Sequence, residues 1–230
     1  MPNAATPPLK RIRWSHAYRI VPSRFPPVGV YDRIADPADI DAVFAIEALT
    51  NPRLREEAGA LQLVPPERRI SGPGSTPVMA AFTHLNPQGS RFSDGSWGVF
   101  YAAHSVATAV EETIFHREVF LAATGEPACD IEMRCYRTSI AGKLHDLRGG
   151  WQEVQGPDSY VASQALAQQL RRDGSNGVVY DSARHAGGEC AAVFYPDLLA
   201  PCVQSEHLIY QWDGQRIASV LRVSSLARPG

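Results

Sequence analysis

The run Gly98 to His116, GVFYAAHSVATAVEETIFH, constrains this chain more than any other stretch. Gly98–Ala103 reads as a buried strand. It passes through a short turn at His104-Ser105 into a helix that carries Glu111 and Glu112. Ser105 suits the N-cap, because its hydroxyl accepts an orphan backbone N–H at the helix start. Val106, Ala109, Val110, Thr113 and Ile114 form the face that packs on the sheet. Glu112 shares a stripe with Thr108 and His116, four residues either way, at the border of that face. Glu111 lies a further 100° round. A carboxylate one to two turns into a helix that follows a buried strand stands at the edge of a cleft. By spacing alone Glu112 reads equally well as a solvated helix surface.

The rest of the chain sets bounds. Its 230 residues suit one large domain or at most two small ones. Hydrophobic residues are 44%, charged residues 20% and the net charge −2, so no global basic field points to nucleic acid. No apolar run approaches the roughly 18 residues of a membrane span, and the first ten residues lack a signal-peptide core. A cytoplasmic protein is expected. Cys129, Cys135, Cys190 and Cys202 form no CxxC pair, and neither HExxH nor paired-histidine spacing occurs, so no metal is expected.

Residues 1–13 read as a flexible arm and 14–225 as one domain. Trp14–Val21 reads as a strand, Asp39–Leu49 as a helix and Arg53–Glu67 as a further helix closed by Pro65-Pro66. Ser71–Pro77 reads as a loop and Met79–Phe82 as a short apolar segment. Asp130–Thr138 alternates with period two, as a half-solvated antiparallel strand does. Ser159–Arg172 is helical. Val178–Tyr180 and Ala191–Tyr195 are buried strands joined by a polar, glycine-rich loop. Leu208–Trp212 and Ile217–Val223 form a hairpin about Asp213-Gly214. Mixed elements without a βαβ rhythm give an α+β domain with a mixed, mostly antiparallel sheet.

Several polar residues sit where packing does not require them. Arg19 lies within the apolar strand Tyr18–Val21, where it needs an anion: a phosphate or an internal carboxylate. Arg91, in a loop, carries the same argument more weakly. Two arginines suit a pyrophosphate, each binding bidentately. Ser182 sits in a turn between two strands without a GxSxG elbow, as a structural residue or a ligand's hydrogen-bond partner. Tyr101 and Trp97 serve as core or as stacking platforms. Cys190 and Ser182 as nucleophiles of a hydrolase, or the arginines as the grip of a non-catalytic binding module, are the competing readings.

The ordered set resembles the RES domain, the toxin half of the RES/Xre toxin–antitoxin modules of bacteria. The motifs are Tyr18-Arg19; Arg91; Tyr101 through Ala103 to Thr108-Ala109-Val110-Glu111-Glu112; Gly177 through Ser182-Ala183-Arg184; and Gly187 through Cys190, Val193 and Phe194. They span roughly residues 14–200. The resemblance implies a fold similar to bacterial ADP-ribosyltransferase toxins and an enzyme that consumes NAD+ without a metal. Thr-Ala-x-x-Glu ends at residue 112, which selects Glu112. Arg19 and Arg91 would hold the pyrophosphate or the nicotinamide ribose, and Tyr101 would pack beside the nicotinamide. Glu112 would bond the ribose and stabilise the oxocarbenium-like transition state, and Ser182 would help fix the dinucleotide. Tyr31 is a further candidate stacking residue. ADP-ribose would pass to a protein acceptor, making the chain a mono-ADP-ribosyltransferase, or to water or phosphate. A helix-turn-helix antitoxin of the Xre type would occlude the cleft in a hetero-oligomer. Two departures stand out: Asp181 precedes the serine where many members have proline, and residues 38–77 form a long insertion between the two arginines.

Overall fold

In the computed structural model, residues 6–23, 29–47, 57–157 and 159–224 are described. Seven strands form one sheet: β1 (Leu9–Pro22), β2 (Phe100–Ala103), β3 (Cys129–Asp146), β4 (Gly177–Asp181), β5 (Glu189–Val193), β6 (Val203–Trp212) and β7 (Ile217–Val223). Their order is β1-β2-β5-β4-β3-β6-β7, and β1 also pairs with β3, so the first five strands close on themselves. Only the short β3–β4 contact, His145–Asp146 with Val178–Val179, is parallel. The sheet is thus mixed and mostly antiparallel in an α+β chain, as the element pattern predicts.

Five α-helices are described: α1 (Ile40–Glu47), α2 (Thr76–Thr83), α3 (Val106–Thr124), α4 (Gln152–Gln155) and α5 (Val161–Arg172). Strand alternation divides the core between the two sheet faces. Phe100, Ala102, Val179, Ala191 and Val193 pack with Ile40 of α1 and Val78, Met79 and Phe82 of α2. Val99, Ala103, Val178, Cys190 and Ala192 pack with Ala109 and Leu121 of α3 and Ala167 and Leu170 of α5. No described helix is long and apolar enough to cross a membrane.

Four expectations need correction. Leu9–Arg13, read as a flexible arm, are the first part of β1 and pair with Ala141–His145; Ile12 and Trp14 enter the core. The charged, exposed residues around them, Lys10, Arg11 and Arg13, disguise a strand that is half solvated. β3 does not stop at Thr138 but runs on to Asp146, because β1 pairs along its whole length. Met79–Phe82 belongs to α2, which starts inside the expected loop at Thr76, with Pro77 in its first turn. Within Arg53–Glu67, Glu57 and Ala58 are helical, and beyond them the described residues hold only single 3-10 turns, Leu61–Leu63 and Pro66–Arg68, separated by Pro65, which cannot continue a helix. Residues 53–56 of that span, and 48–49 of the helix expected at Asp39–Leu49, lie outside the described residues. The described part of the 38–77 insertion is not an appendage, since Ile40 and Val64 are buried in the α2-side core.

Candidate active site

α3 begins as its sequence requires. Ser105 is extended (φ −132°, ψ 156°), and its Oγ accepts the Thr108 N–H at 3.1 Å. Gly125, left-handed at φ 65°, closes the helix. Between these caps Glu111 is exposed and Glu112 half-buried.

The loop after β4 brings Ser182 to Glu112. The Ser182 hydroxyl donates to Glu112 Oε1 at 2.6 Å, and its oxygen accepts the N–H groups of Arg184 (3.2 Å) and His185 (3.0 Å). Those two donors fix the hydroxyl's direction, so its proton is committed to the carboxylate. Glu112 Oε1 is held, and Oε2 carries no described hydrogen bond. Ser182 is thus tied to Glu112 by its side chain.

Two contacts that the sequence does not advertise lock this loop to α3. Thr108 Oγ1 lies 2.9 Å from His185 Nδ1 and 2.8 Å from Ser105 Oγ. Gly188 packs so close that a Cβ there would come within 2.7 Å of Thr108 Oγ1 and Cγ2. Arg184 lies over the Phe115 ring, 3.3 Å from its centroid, and donates to the Pro157 carbonyl at 2.7 Å. The signal for Thr108 was its place one turn before Glu112; the partner, 77 residues on, was not visible.

Burial pushes the Cys190 thiol far above its ordinary value, and the Glu112 carboxylate adds to the effect. Cys190 is 3% exposed. A thiol so placed is protonated and inaccessible, which removes it as a nucleophile. Burial likewise raises the Tyr180 phenol, with Cys190, Glu112 and Tyr101 contributing. These couplings place Glu112, Tyr180, Cys190 and Tyr101 within one electrostatic neighbourhood.

Tyr101 lies where this neighbourhood meets a cleft. Its Oη accepts the Phe92 N–H at 2.8 Å and bonds Ser90 Oγ at 2.8 Å, and both Tyr101 and Ser90 line the cleft. Burial raises its pKa to about 12. The cleft, of about 680 Å³, opens where β1 and β2 part. These two strands pair at Tyr18–Ala103 alone. Beyond that pair Arg19 and Val21 line one side, Val99 and Tyr101 the other, and Thr76, Pro77, Ala80 and Ala81 of α2 the wall. A Cβ on Gly98 would lie 2.3 Å from Phe82 Cα, so α2 can approach the strand only over a glycine.

Arg19 enters this cleft. Its Nη1 donates to the Tyr101 carbonyl at 3.2 Å, and its guanidinium lies over Phe100, 4.9 Å from the centroid. Burial lowers its pKa, and no carboxylate pairs with it among the described residues. Glu112, Ser182 and Arg91 stand outside the cleft lining.

Two predicted ligand residues are not among those lining the cleft. Arg91 is 7% exposed; its Nη1 donates to the Gly156 carbonyl at 2.8 Å and its guanidinium lies over Tyr160. It ties its loop to the α4–α5 connection. Tyr31 is fully buried, its Oη donates to the Ala58 carbonyl at 2.7 Å, and its ring packs edge-on against Phe44. It is a core residue beneath the insertion and stacks on nothing in the cleft.

Comparison with known proteins now defines the class. A profile of the RES domain matches residues 66–213, a stretch that includes Arg91, Tyr101, Glu112 and Ser182 and begins after Arg19. The chain belongs to the RES-domain family. It is 33% identical over 208 residues to an uncharacterised protein, y4oC, of Sinorhizobium fredii (strain NBRC 101917 / NGR234), covering 87% of this chain and 84% of that one. A chain in the crystal structure of the M. tuberculosis MbcT–MbcA toxin–antitoxin complex is 14% identical, with a TM-score of 0.43 over 86% of both chains.

Proposed function

We propose that this chain is the toxin of a toxin–antitoxin module, one that cleaves the nicotinamide–ribose bond of NAD+ and transfers ADP-ribose to a protein acceptor. The observation that carries the reading is the 2.6 Å bond from Ser182 to Glu112, in a chain whose cleft holds Arg19, a cation with no carboxylate partner among the described residues. Cleaving that bond builds positive charge on the ribose and releases neutral nicotinamide. A carboxylate oriented before the reaction stabilises that charge without reorganising. Ser182 holds Oε1, leaving Oε2 for a ribose hydroxyl, and little proton transfer is needed. Arg19 supplies a charge for the diphosphate, and Tyr101 lines the same cleft.

A protein acceptor needs a docking surface. Val119 and Phe120, 54% and 52% exposed, lie two turns beyond Glu112 on α3 and supply apolar area for one. An antitoxin, with a helix-turn-helix domain of the Xre type and bound as a hetero-oligomer across the cleft, belongs to the same proposal, as does action in the cytoplasm.

The test is nicotinamide release from labelled NAD+ by purified protein, with lysate proteins present. Release with label on protein supports the transferase. Release with free ADP-ribose or its phosphorylated form makes the chain an NAD+ glycohydrolase or phosphorylase. No release in either setting overturns the enzymatic reading and leaves a nucleotide- or partner-binding module.

A further inference from the structure

The cleft contains a second arginine that the sequence does not single out. Arg19 pairs with Tyr136, and Val21 with Arg134, across β1 and β3. Residues 134 and 136 share one face by strand alternation. Arg19 and Arg134 are therefore diagonal neighbours, about 7–8 Å apart at Cα, on the same cleft-lining patch.

Arg134 is poorly satisfied for a residue so placed. Nη1 makes one long bond to Tyr136 Oη, 3.3 Å. Its Nε is buried and has no hydrogen-bond partner among the described residues. No carboxylate there pairs with either arginine. Glu57 is the one acidic residue in the lining among the described residues. Two like charges with an unmet donor are costly to hold side by side out of water. An anion with two negative charges, presenting oxygens to both forks, would relieve that cost. Arg91, by contrast, is not among the residues that line the cleft, and its Nη1 reaches the Gly156 carbonyl instead.

We infer that Arg134, not Arg91, is the partner of Arg19 in gripping the diphosphate of the substrate dinucleotide. This rests on the NAD+ reading above. Arg134 is a binding residue here, donating Nε and an Nη to phosphate oxygens, and takes no part in bond cleavage.

The test measures NAD+ binding by calorimetry to Glu112→Gln protein, which retains the grip but not the turnover. Arg134→Met in that background should weaken NAD+ about 10- to 100-fold, the scale of hydrogen bonds to a charged group. It should also flatten the salt dependence of binding, and Arg134→Lys should recover part of the loss by restoring charge without the fork. Thermal unfolding of the ligand-free Arg134→Met protein should not drop, since the change removes a like charge and an unmet donor. Undiminished NAD+ binding by Arg134→Met overturns the assignment while NAD+ binding itself stands. So does a loss that comes with lowered thermal stability and no rescue by lysine. Failure of both wild-type and Glu112→Gln protein to bind NAD+ brings down the substrate reading, and this one with it.

Discussion

Glu112 and Ser182 are separated by 70 residues and joined by one short hydrogen bond. If Glu112 stabilises positive charge on the ribose, Glu112→Gln should lower nicotinamide release by about 10²-fold or more, with little change in unfolding temperature. Ser182→Ala leaves the carboxylate but frees its direction. We expect a smaller fall, of about tenfold, and a stability loss of about 1–2 kcal/mol from the two loop N–H groups left without an acceptor. Equal losses in the two variants would contradict the division of roles. The thiols give a second residue-scale prediction. Cys129 is exposed, whereas Cys135, Cys190 and Cys202 are buried. Iodoacetamide should therefore modify one thiol per native chain quickly and leave nicotinamide release intact. Rapid labelling of Cys190 with loss of activity would revive a cysteine nucleophile. Glu112 was legible as a candidate because helix periodicity puts it at the border of the packed face. Ser182 was legible only as a serine in a turn, since nothing local in Tyr-Asp-Ser-Ala-Arg says which group its hydroxyl meets.

At the scale of elements, the site depends on how α3 meets the β4–β5 loop. Thr108 and Gly188 make that seam. Gly188→Ala would set a Cβ against Thr108 and push the loop, with Ser182, away from the helix. Its nicotinamide release should fall at least as far as that of Ser182→Ala. Adding Thr108→Ala removes two of the three close atoms, leaving His185 Nδ1 at 2.9 Å, so the double variant should recover part of the loss, a coupling of about 0.5–3 kcal/mol in a double-mutant cycle. Strict additivity would show that the seam does not position the serine. The strand–cap–helix unit Gly98–Thr124 was readable in one dimension because N-cap chemistry, apolar spacing and a terminal glycine are all local. α2 was missed: its proline sits in the first turn, where a helix tolerates it, and resembles loop punctuation in Ser-Gly-Pro-Gly-Ser-Thr-Pro.

Over the whole molecule, Asp146 ties the sheet's closure together. This carboxylate, 4% exposed at the end of β3, takes two bonds from the Arg148 guanidinium and an ion pair from Lys10 of β1; Arg148 also reaches Glu189 of β5. The Arg148 guanidinium, chiefly, holds its pKa well below the usual carboxylate range. A depressed carboxyl contributes stability that is fully present above its unfolded pKa of about 4 and is lost as pH falls through the folded value. Asp146→Asn should cost about 3 kcal/mol at pH 7, and the gap from the wild type should narrow in denaturant titrations below pH 4. A gap that stays constant with pH would remove the ionic account. What the sequence determined by itself is what local periodicity and capping encode: the α+β class, most strands, the α3 unit and Glu112 at its packed edge. The tertiary structure alone decided that β1 begins at Leu9, that Tyr31 is buried and Arg91 bonds Gly156, and that Arg134 lines the cleft with Arg19. Each of those outcomes depends on pairing between segments 27 to more than 100 residues apart, and on which side of a closed sheet a side chain lands. A one-residue change of register would reverse that side, and no single stretch of sequence records the register of its partner.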